Sequence, residues 1–395
     1  MQKLPHHPRL LAASLALWLL ACPASAQEPA ASPPAPAAPS PEAQPAETPA
    51  EEEPEDFQFR GLLWNSYSNN FNVPSNGLNQ FRGYDFADRK LKLDLLDLDM
   101  QYKVDKADNV GFRLELTGGG SMPRVDAAAN LFRNEVTGIS NTDFDIRQAF
   151  LTYKTDFGLR FDAGKFATIF GYEVMPGVDG LNPNATVSWS YTYSPYTHTG
   201  LRVTYPVNDQ LSLTGLFVTG SDTFTDNNQT PSFGGQIAYK PCDEVQLLVN
   251  VMSGPERYNN NVDIRRLIDF IGTFQVHEQV KLGFHTITGI ERYSQGVENP
   301  YTANWNSLVL YVEDNITDDF GINLRYEWFN DPQGARTGVA QNLKGFTISP
   351  HWAVTEDLTL RLDYRLDNSS GAVFDSQGNL VYQQPTIYFN QTLRF

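Results

Sequence analysis

The sequence has almost no cysteine: Cys22 and Cys242 are the only two among 395 residues. A scaffold held by several disulfides is therefore excluded. Basic residues are also scarce, with 29 Lys and Arg against 46 Asp and Glu. Nucleic acid is not an expected partner, because phosphate contact requires clustered Lys and Arg. Outside the first 26 residues no apolar run approaches the ~18 residues that a membrane-spanning helix needs. Histidine is sparse. His6 and His7 fall near the start, which leaves only His198, His277, His285 and His351, scattered along the chain. No G-x-S-x-G, H-E-x-x-H or C-x-x-C occurs, so the common hydrolase, metalloprotease and redox motifs are missing. No enzyme activity, cofactor or metal is expected. The acidic stretch Ser221 to Asn228 offers oxygen atoms but lacks the spacing of a calcium loop, and reads as solvated loop.

Aromatic residues, by contrast, are plentiful: 25 Phe, 18 Tyr and 6 Trp. Mean hydropathy is nevertheless below zero. A transmembrane β-barrel combines these properties, because its apolar residues are hidden by alternation with polar ones. The C-terminal run is the clearest case. Phe395, Leu393, Gln391, Phe389 and Ile387 share one face, and Arg394, Thr392, Asn390, Tyr388 and Thr386 the other. Period two with one apolar face is a strand. A strand that ends on a terminal aromatic reads as the closing strand of an outer-membrane barrel.

The start of the chain agrees. Lys3 and Arg9 precede an apolar run from Leu10 to Ala21, followed by Ala24-Ser25-Ala26. This is the pattern of a signal peptide over residues 1–26. A competing reading takes Leu19-Leu20-Ala21-Cys22 as a lipoprotein box that would lipidate Cys22. Residues 27–56 are rich in Pro, Ala and Glu, with no periodicity. Such a segment cannot bury enough surface to offset its ordering entropy, so a disordered periplasmic tail is expected. Residues 57–395 are expected to form the barrel.

Within that span two strands are especially clear. Phe320, Ile322, Leu324, Tyr326 and Trp328 oppose Gly321, Asn323, Arg325 and Glu327; Leu358, Leu360, Leu362, Tyr364 and Leu366 oppose Thr359, Arg361, Asp363 and Arg365. Charge at every second position suits a wall with lipid outside and water inside. Seven short polar turns recur, at Asp105–Asp108, Asp156–Gly158, Pro206–Asp209, Pro241–Glu244, Val276–Gln279, Asp314–Asp319 and Val354–Asp357. Between them lie eight longer connections, near 66–88, 119–142, 167–195, 220–230, 254–261, 292–303, 330–340 and 367–384. Seven turns and eight loops require sixteen antiparallel strands, with eighteen as the alternative count. Both termini then lie on the short-turn side, which is the periplasm in this class. Adjacent Leu95 and Leu96 break the alternation of Lys90 to Tyr102, which predicts a β-bulge near Leu96.

Parity assigns Lys92, Asp94, Asp97, Asp99, Arg113, Glu115, Arg160, Asp162, Arg202, Lys240, Lys281, Arg325, Glu327, Arg361, Asp363 and Arg365 to the lumen. Mixed charge of this kind can discriminate solutes, and it can equally pair across strands. The third long connection carries Phe170, Tyr172, Val174, Met175, Val178 and Trp189. A loop in open solvent rarely holds so much apolar bulk. It is expected to fold into the lumen and narrow it, with Glu173 and Asp179 facing Arg113, Arg160 or Arg202; capping of the mouth or contact with a neighbouring subunit is the alternative.

Four blocks bear a family resemblance. Ile146-Arg147-Gln148-Ala149-Phe150-Leu151-Thr152-Tyr153-Lys154, Asp162 to Glu173, Tyr196 to Arg202 and Arg325 to Gly338 resemble the OmpL-like β-barrel porins of bacterial outer membranes. The resemblance covers about residues 57–395 and implies an outer-membrane porin with no assigned substrate. It transfers no catalytic or binding residues. The expected function is passive diffusion of small hydrophilic solutes or ions through a water-filled, charge-lined lumen. The alternative is a loop-plugged structural or surface-interaction barrel whose acidic tail tethers the envelope. Expected partners are outer-membrane lipid, the solutes, and the barrel assembly machinery, which would engage the strand ending at Phe395. A homotrimer is the expectation of the porin class. Residues 57–395 hold 38 acids and 27 bases, a balance that leans toward cations.

Overall fold

The computed structural model describes residues 57–104, 109–122 and 143–395. The expected signal peptide, the tail, the turn at 105–108 and most of the second long connection lie outside the described residues. Sixteen antiparallel strands close into a barrel. In chain order the first eight are β1 (Phe57–Asn70), β2 (Leu91–Tyr102), β3 (Asn109–Gly118), β4 (Phe144–Lys154), β5 (Arg160–Ala167), β6 (Thr197–Pro206), β7 (Leu211–Val218) and β8 (Ser232–Cys242). The next seven are β9 (Val245–Pro255), β10 (Ile264–Gln275), β11 (Val280–Tyr293), β12 (Tyr301–Asp314), β13 (Phe320–Asp331), β14 (Gln341–Ala353) and β15 (Leu358–Ser369). A small hairpin, β16 (Phe374–Ser376) and β17 (Asn379–Val381), sits in the last long connection, and β18 (Gln383–Arg394) completes the barrel. One helical turn, α1 (Trp189–Thr192), lies in the third connection.

Each barrel strand pairs with its sequence neighbours, and β18 pairs with both β15 and β1. Closure leaves no exposed edge, which a sheet in lipid requires. At the seam the Gly61 amide donates to the Phe395 carbonyl at 2.7 Å and the Phe395 amide to the Gly61 carbonyl at 3.0 Å. The last residue of the chain is thus a rung of the ladder.

Alternation carries through to burial. Along β15, Leu362 and Tyr364 are exposed on the outer face, whereas Arg361, Asp363, Arg365 and Asp367 are buried inside. An apolar outside and a charged inside is the arrangement expected in lipid. The lumen itself is far from empty. The first connection (71–90), the third (168–196) and the β16–β17 hairpin all pack into it. Trp64 of the wall meets Tyr84 at 5.0 Å between ring centroids, the Tyr84 and Tyr191 hydroxyls lie 3.2 Å apart, and Phe374 meets Phe81 edge-on at 6.0 Å.

Candidate functional site

Two bulges shape the wall that the third connection packs against. In β2 the register with β1 shifts between Trp64 and Asn65, which leaves Asp94 as the extra residue. The predicted bulge therefore exists two residues earlier than expected, and Asp94 and Leu95 both turn inward and are fully buried. In β4 the register with β3 shifts between Glu115 and Leu116, which leaves Arg147 extra. Arg147 and Gln148 consequently both face inward, as consecutive residues can only at a bulge.

The third connection crosses the bore and is held on several sides by wall charges. Near its start the Gly171 amide donates to Asp269 at 3.2 Å. Tyr172 then stacks on Tyr311 at 4.3 Å and donates to Glu313 at 2.5 Å. Farther along, Arg361 donates to the Asn182 carbonyl at 2.7 Å, and Asp363 accepts from the Thr186 amide at 2.8 Å and its hydroxyl at 2.7 Å. Arg365 reaches the Val187 carbonyl at 2.6 Å, and Glu327 accepts the Trp189 amide at 2.8 Å. On the opposite wall, Arg147 holds the Pro176 carbonyl at 2.8 Å and Asp97 accepts the Val178 amide at 3.2 Å. Irregular backbone at membrane depth is stable only where its polar groups find such partners. Arg325, Glu327, Arg361, Asp363 and Arg365 do face inward, but they are buried against the connection and not against open water.

Of the two acids expected to face Arg113, Arg160 or Arg202, Asp179 meets Arg113. Its carboxylate sits between Arg113 at 2.6 Å and Arg60 at 3.0 Å. Glu173 corrects the expectation. It meets Arg325 of β13 at 3.1 Å and accepts from the Ser188 amide at 2.9 Å and from the Ser188 hydroxyl. Ser188 also caps α1. The connection doubles back there, which turns Glu173 toward β13 and away from Arg113, Arg160 and Arg202.

Beside Asp179 a polar cavity of about 330 Å³ is lined by Gln101, Tyr102, Lys103, Val104, Phe112, Arg113, Gln148, Phe150, Thr152, Arg160, Ala167, Thr168, Asp179 and Arg202. Residues 101–104 and Arg160 belong to short-turn strand ends, so this is the periplasmic side. Charges here pair across strands. Asp99 accepts from Arg113 at 2.6 Å and lies 2.5 Å from Arg60. Asp162 receives Arg160 at 2.9 Å and Arg202 at 2.9 Å. Among the other candidates, Lys92 contacts Asp94 at 2.8 Å beneath the first connection. Glu115 meets Arg147 at 3.3 Å. Lys281 pairs with Glu313 at 2.6 Å and Lys240 with Asp243 at 2.7 Å, both near short turns.

Sequence reasoning missed Arg60, Arg82, Arg147 and Asp367. Arg60 and Asp367 lie on inward parity, so extending the alternation by one or two residues would have found them. Arg147 is displaced by a bulge. Arg82 is a loop residue whose pairing with Asp85 and with Asp367, the latter at 2.6 Å, depends on the fold. An inward apolar belt was missed as well. Leu216, Met252, Leu267, Ile287, Trp305, Phe329 and Leu343 face inward from the extracellular halves of their strands and pack with Phe170, Trp189 and Phe374. The parity reading had attended only to charge.

Solved structures share this architecture. The outer membrane channel DcaP of Acinetobacter baumannii superposes with a TM-score of 0.57 at 12% identity, over 86% of this chain and 97% of that one. An anion-selective porin from Comamonas acidovorans gives 0.57 at 9%, over 86% and 99%. The trimer form of OmpT, an outer membrane protein of Vibrio cholerae, gives 0.56 at 10%, over 86% and 99%. At such identities the likeness is one of fold. No curated protein matches the chain. The family model described as beta-barrel porin-2, OmpL-like, matches residues 56–395, from one residue before β1 to the final aromatic, and the chain belongs to that family of outer-membrane β-barrel porins.

Proposed function

We propose that this chain is a passive diffusion channel for small hydrophilic solutes or ions, with its selectivity set where the third connection narrows the lumen. The observation that carries the reading is Asp179, held between Arg60 and Arg113 at the wall of a polar cavity on the periplasmic side. Fixed charges of both signs at a constriction act on solutes where water screens them least. In this reading residues 1–26 are a removed leader and residues 27–56 a periplasmic spacer. The barrel assembly machinery engages the strand ending at Phe395, and the functional unit is a homotrimer, as in the trimer form of the Vibrio cholerae protein. The test is single-channel conductance of the mature protein in a planar bilayer, with reversal potential in a salt gradient. Steps of steady size support a pore. A silent bilayer from folded, heat-modifiable protein rejects it.

A second reading, a loop-plugged barrel with a structural or surface role, is favoured by the apolar packing in the outer half of the lumen. Phe170, Trp189 and Phe374 meet wall residues there as a core does, and an apolar constriction excludes water. Phe374→Ser separates the two readings. A large rise in conductance over a silent native protein supports the plug; an unchanged steady conductance supports the open channel.

A further inference from the structure

We infer that the periplasmic cavity is a binding site for a small solute bearing an oxyanion, a carboxylate or a phosphate group. The inference deepens the channel reading and rests on it for the solute's route, but not for binding itself.

The argument is one of local charge. Arg160 and Arg202 share a single acid, Asp162, and use both of its oxygens. Arg160 Nε takes Oδ1 at 2.9 Å, while Arg202 Nε and Nη2 take Oδ2 at 3.0 and 2.9 Å. Thr152 also donates to Oδ1, at 2.6 Å. The carboxylate has no capacity left, and within this group of three one positive charge is unmatched. Lys103 stands exposed at the rim with no ion pair among the described residues. Asp179, the one acid lining the cavity among the described residues, is itself claimed by Arg113 and Arg60. Asp162 is buried beneath the guanidiniums, whereas the Arg160 side chain is 45% exposed. The surface that a solute meets is therefore basic, although the chain as a whole is acidic.

Geometry adds to charge. Arg202 lies over the Phe166 ring at 4.7 Å and near Phe150 at 5.6 Å. Stacking fixes its plane and removes water from one face; Nη1 reaches the Ala167 carbonyl at 3.5 Å, and the guanidinium lines the cavity. Planar guanidinium forks match the oxygens of carboxylate and phosphate. The cavity, about 330 Å³, would hold roughly ten waters, or a solute of that size.

The experiment is calorimetric titration of the mature protein, folded in detergent, with succinate and separately with inorganic phosphate in a chloride background. Native protein is expected to bind at least one of them. Arg160→Gln with Arg202→Gln should weaken binding by about tenfold or more, the worth of one charge-assisted pair. Asp162→Asn should tighten it, a change that a merely structural role for the arginines would not produce. Binding of succinate alone assigns a carboxylate ligand, and of phosphate alone a phosphate ligand. No binding of either by heat-modifiable protein overturns the inference, as does binding that the arginine substitutions leave unchanged. Conductance of the same preparation is measured in parallel. Binding without conductance rejects the channel reading and leaves the site; conductance without binding does the reverse.

Discussion

The ring of Phe395 lies directly over Gly61, where any Cβ would collide with it, and the two residues exchange both backbone hydrogen bonds of the barrel seam. Closure therefore depends on a missing side chain in the first strand and on the last residue of the last one. Gly61→Val should force the ring aside at the ~1–3 kcal/mol typical of overpacking. The heat-modifiable fraction of outer-membrane protein on electrophoresis should fall. A folded fraction equal to that of the native protein would show that the ring has somewhere else to go.

The position of Asp179 gives a prediction about selectivity. Asp179→Asn removes an acid that lines the cavity and leaves Arg60 with Asp99 and Arg113 with Asp99 and Glu115. The reversal potential in a potassium chloride gradient should shift toward chloride, by a two- to tenfold change in permeability ratio if one constriction charge is worth about 0.4–1.4 kcal/mol. An unmoved potential would place the narrowing elsewhere.

Gly177 occupies the tip of the third connection. A Cβ there would lie 2.6 Å from an Asp97 carboxylate oxygen and 3.0 Å from an Arg147 nitrogen. Both neighbours are buried wall groups that cannot move freely. Gly177→Ala should therefore loosen the tip, at a cost of about 1–3 kcal/mol, and change channel conductance without unfolding the barrel. Proteolysis of the third connection in detergent-folded protein should become faster; an unchanged rate argues against the wall grip.

Asp263 ties two extracellular connections together. It accepts from the Ser294 amide at 2.9 Å, the Gln295 amide at 3.1 Å and Asn260 at 2.8 Å, as well as from the Ser294 hydroxyl. Burial alone would raise its pKa, but the hydrogen bonds from Ser294, Gln295 and Asn260 together hold it well below the usual carboxylate range. Because the folded value is lowered, the stabilisation is present above the unfolded value of about 3.9 and is lost as pH falls through the folded one. Exchange of the Ser294 and Gln295 amides, corrected for intrinsic rate, should keep full protection at pH 6 and lose it only in strong acid. Asp263→Asn should abolish that acid dependence. Protection lost already near pH 5 would contradict the hydrogen-bond account.

Much of this molecule is legible in one dimension because the membrane acts on each strand locally. A strand between lipid and lumen must alternate, so Leu362 and Tyr364 against Arg361, Asp363 and Arg365 can be read residue by residue. The seven turns and eight long connections, and hence sixteen strands, follow from that period and from turn chemistry. The apolar content of the third connection likewise announced that it would not stay in solvent. What the sequence could not contain is which inward charges meet water and which meet protein. Arg325 and Arg202 have the same parity and the same chemistry. One is sealed beneath Thr186 and Glu173, and the other lines a cavity with Arg160. That difference, the turn of Glu173 toward β13, the added inward residues at Asp94 and Arg147, and the basic surface of an acidic chain all arise from contacts between residues far apart in sequence. Alternation is a property of the strand; occupancy of the lumen belongs to the closed barrel and to the loops that fold back into it.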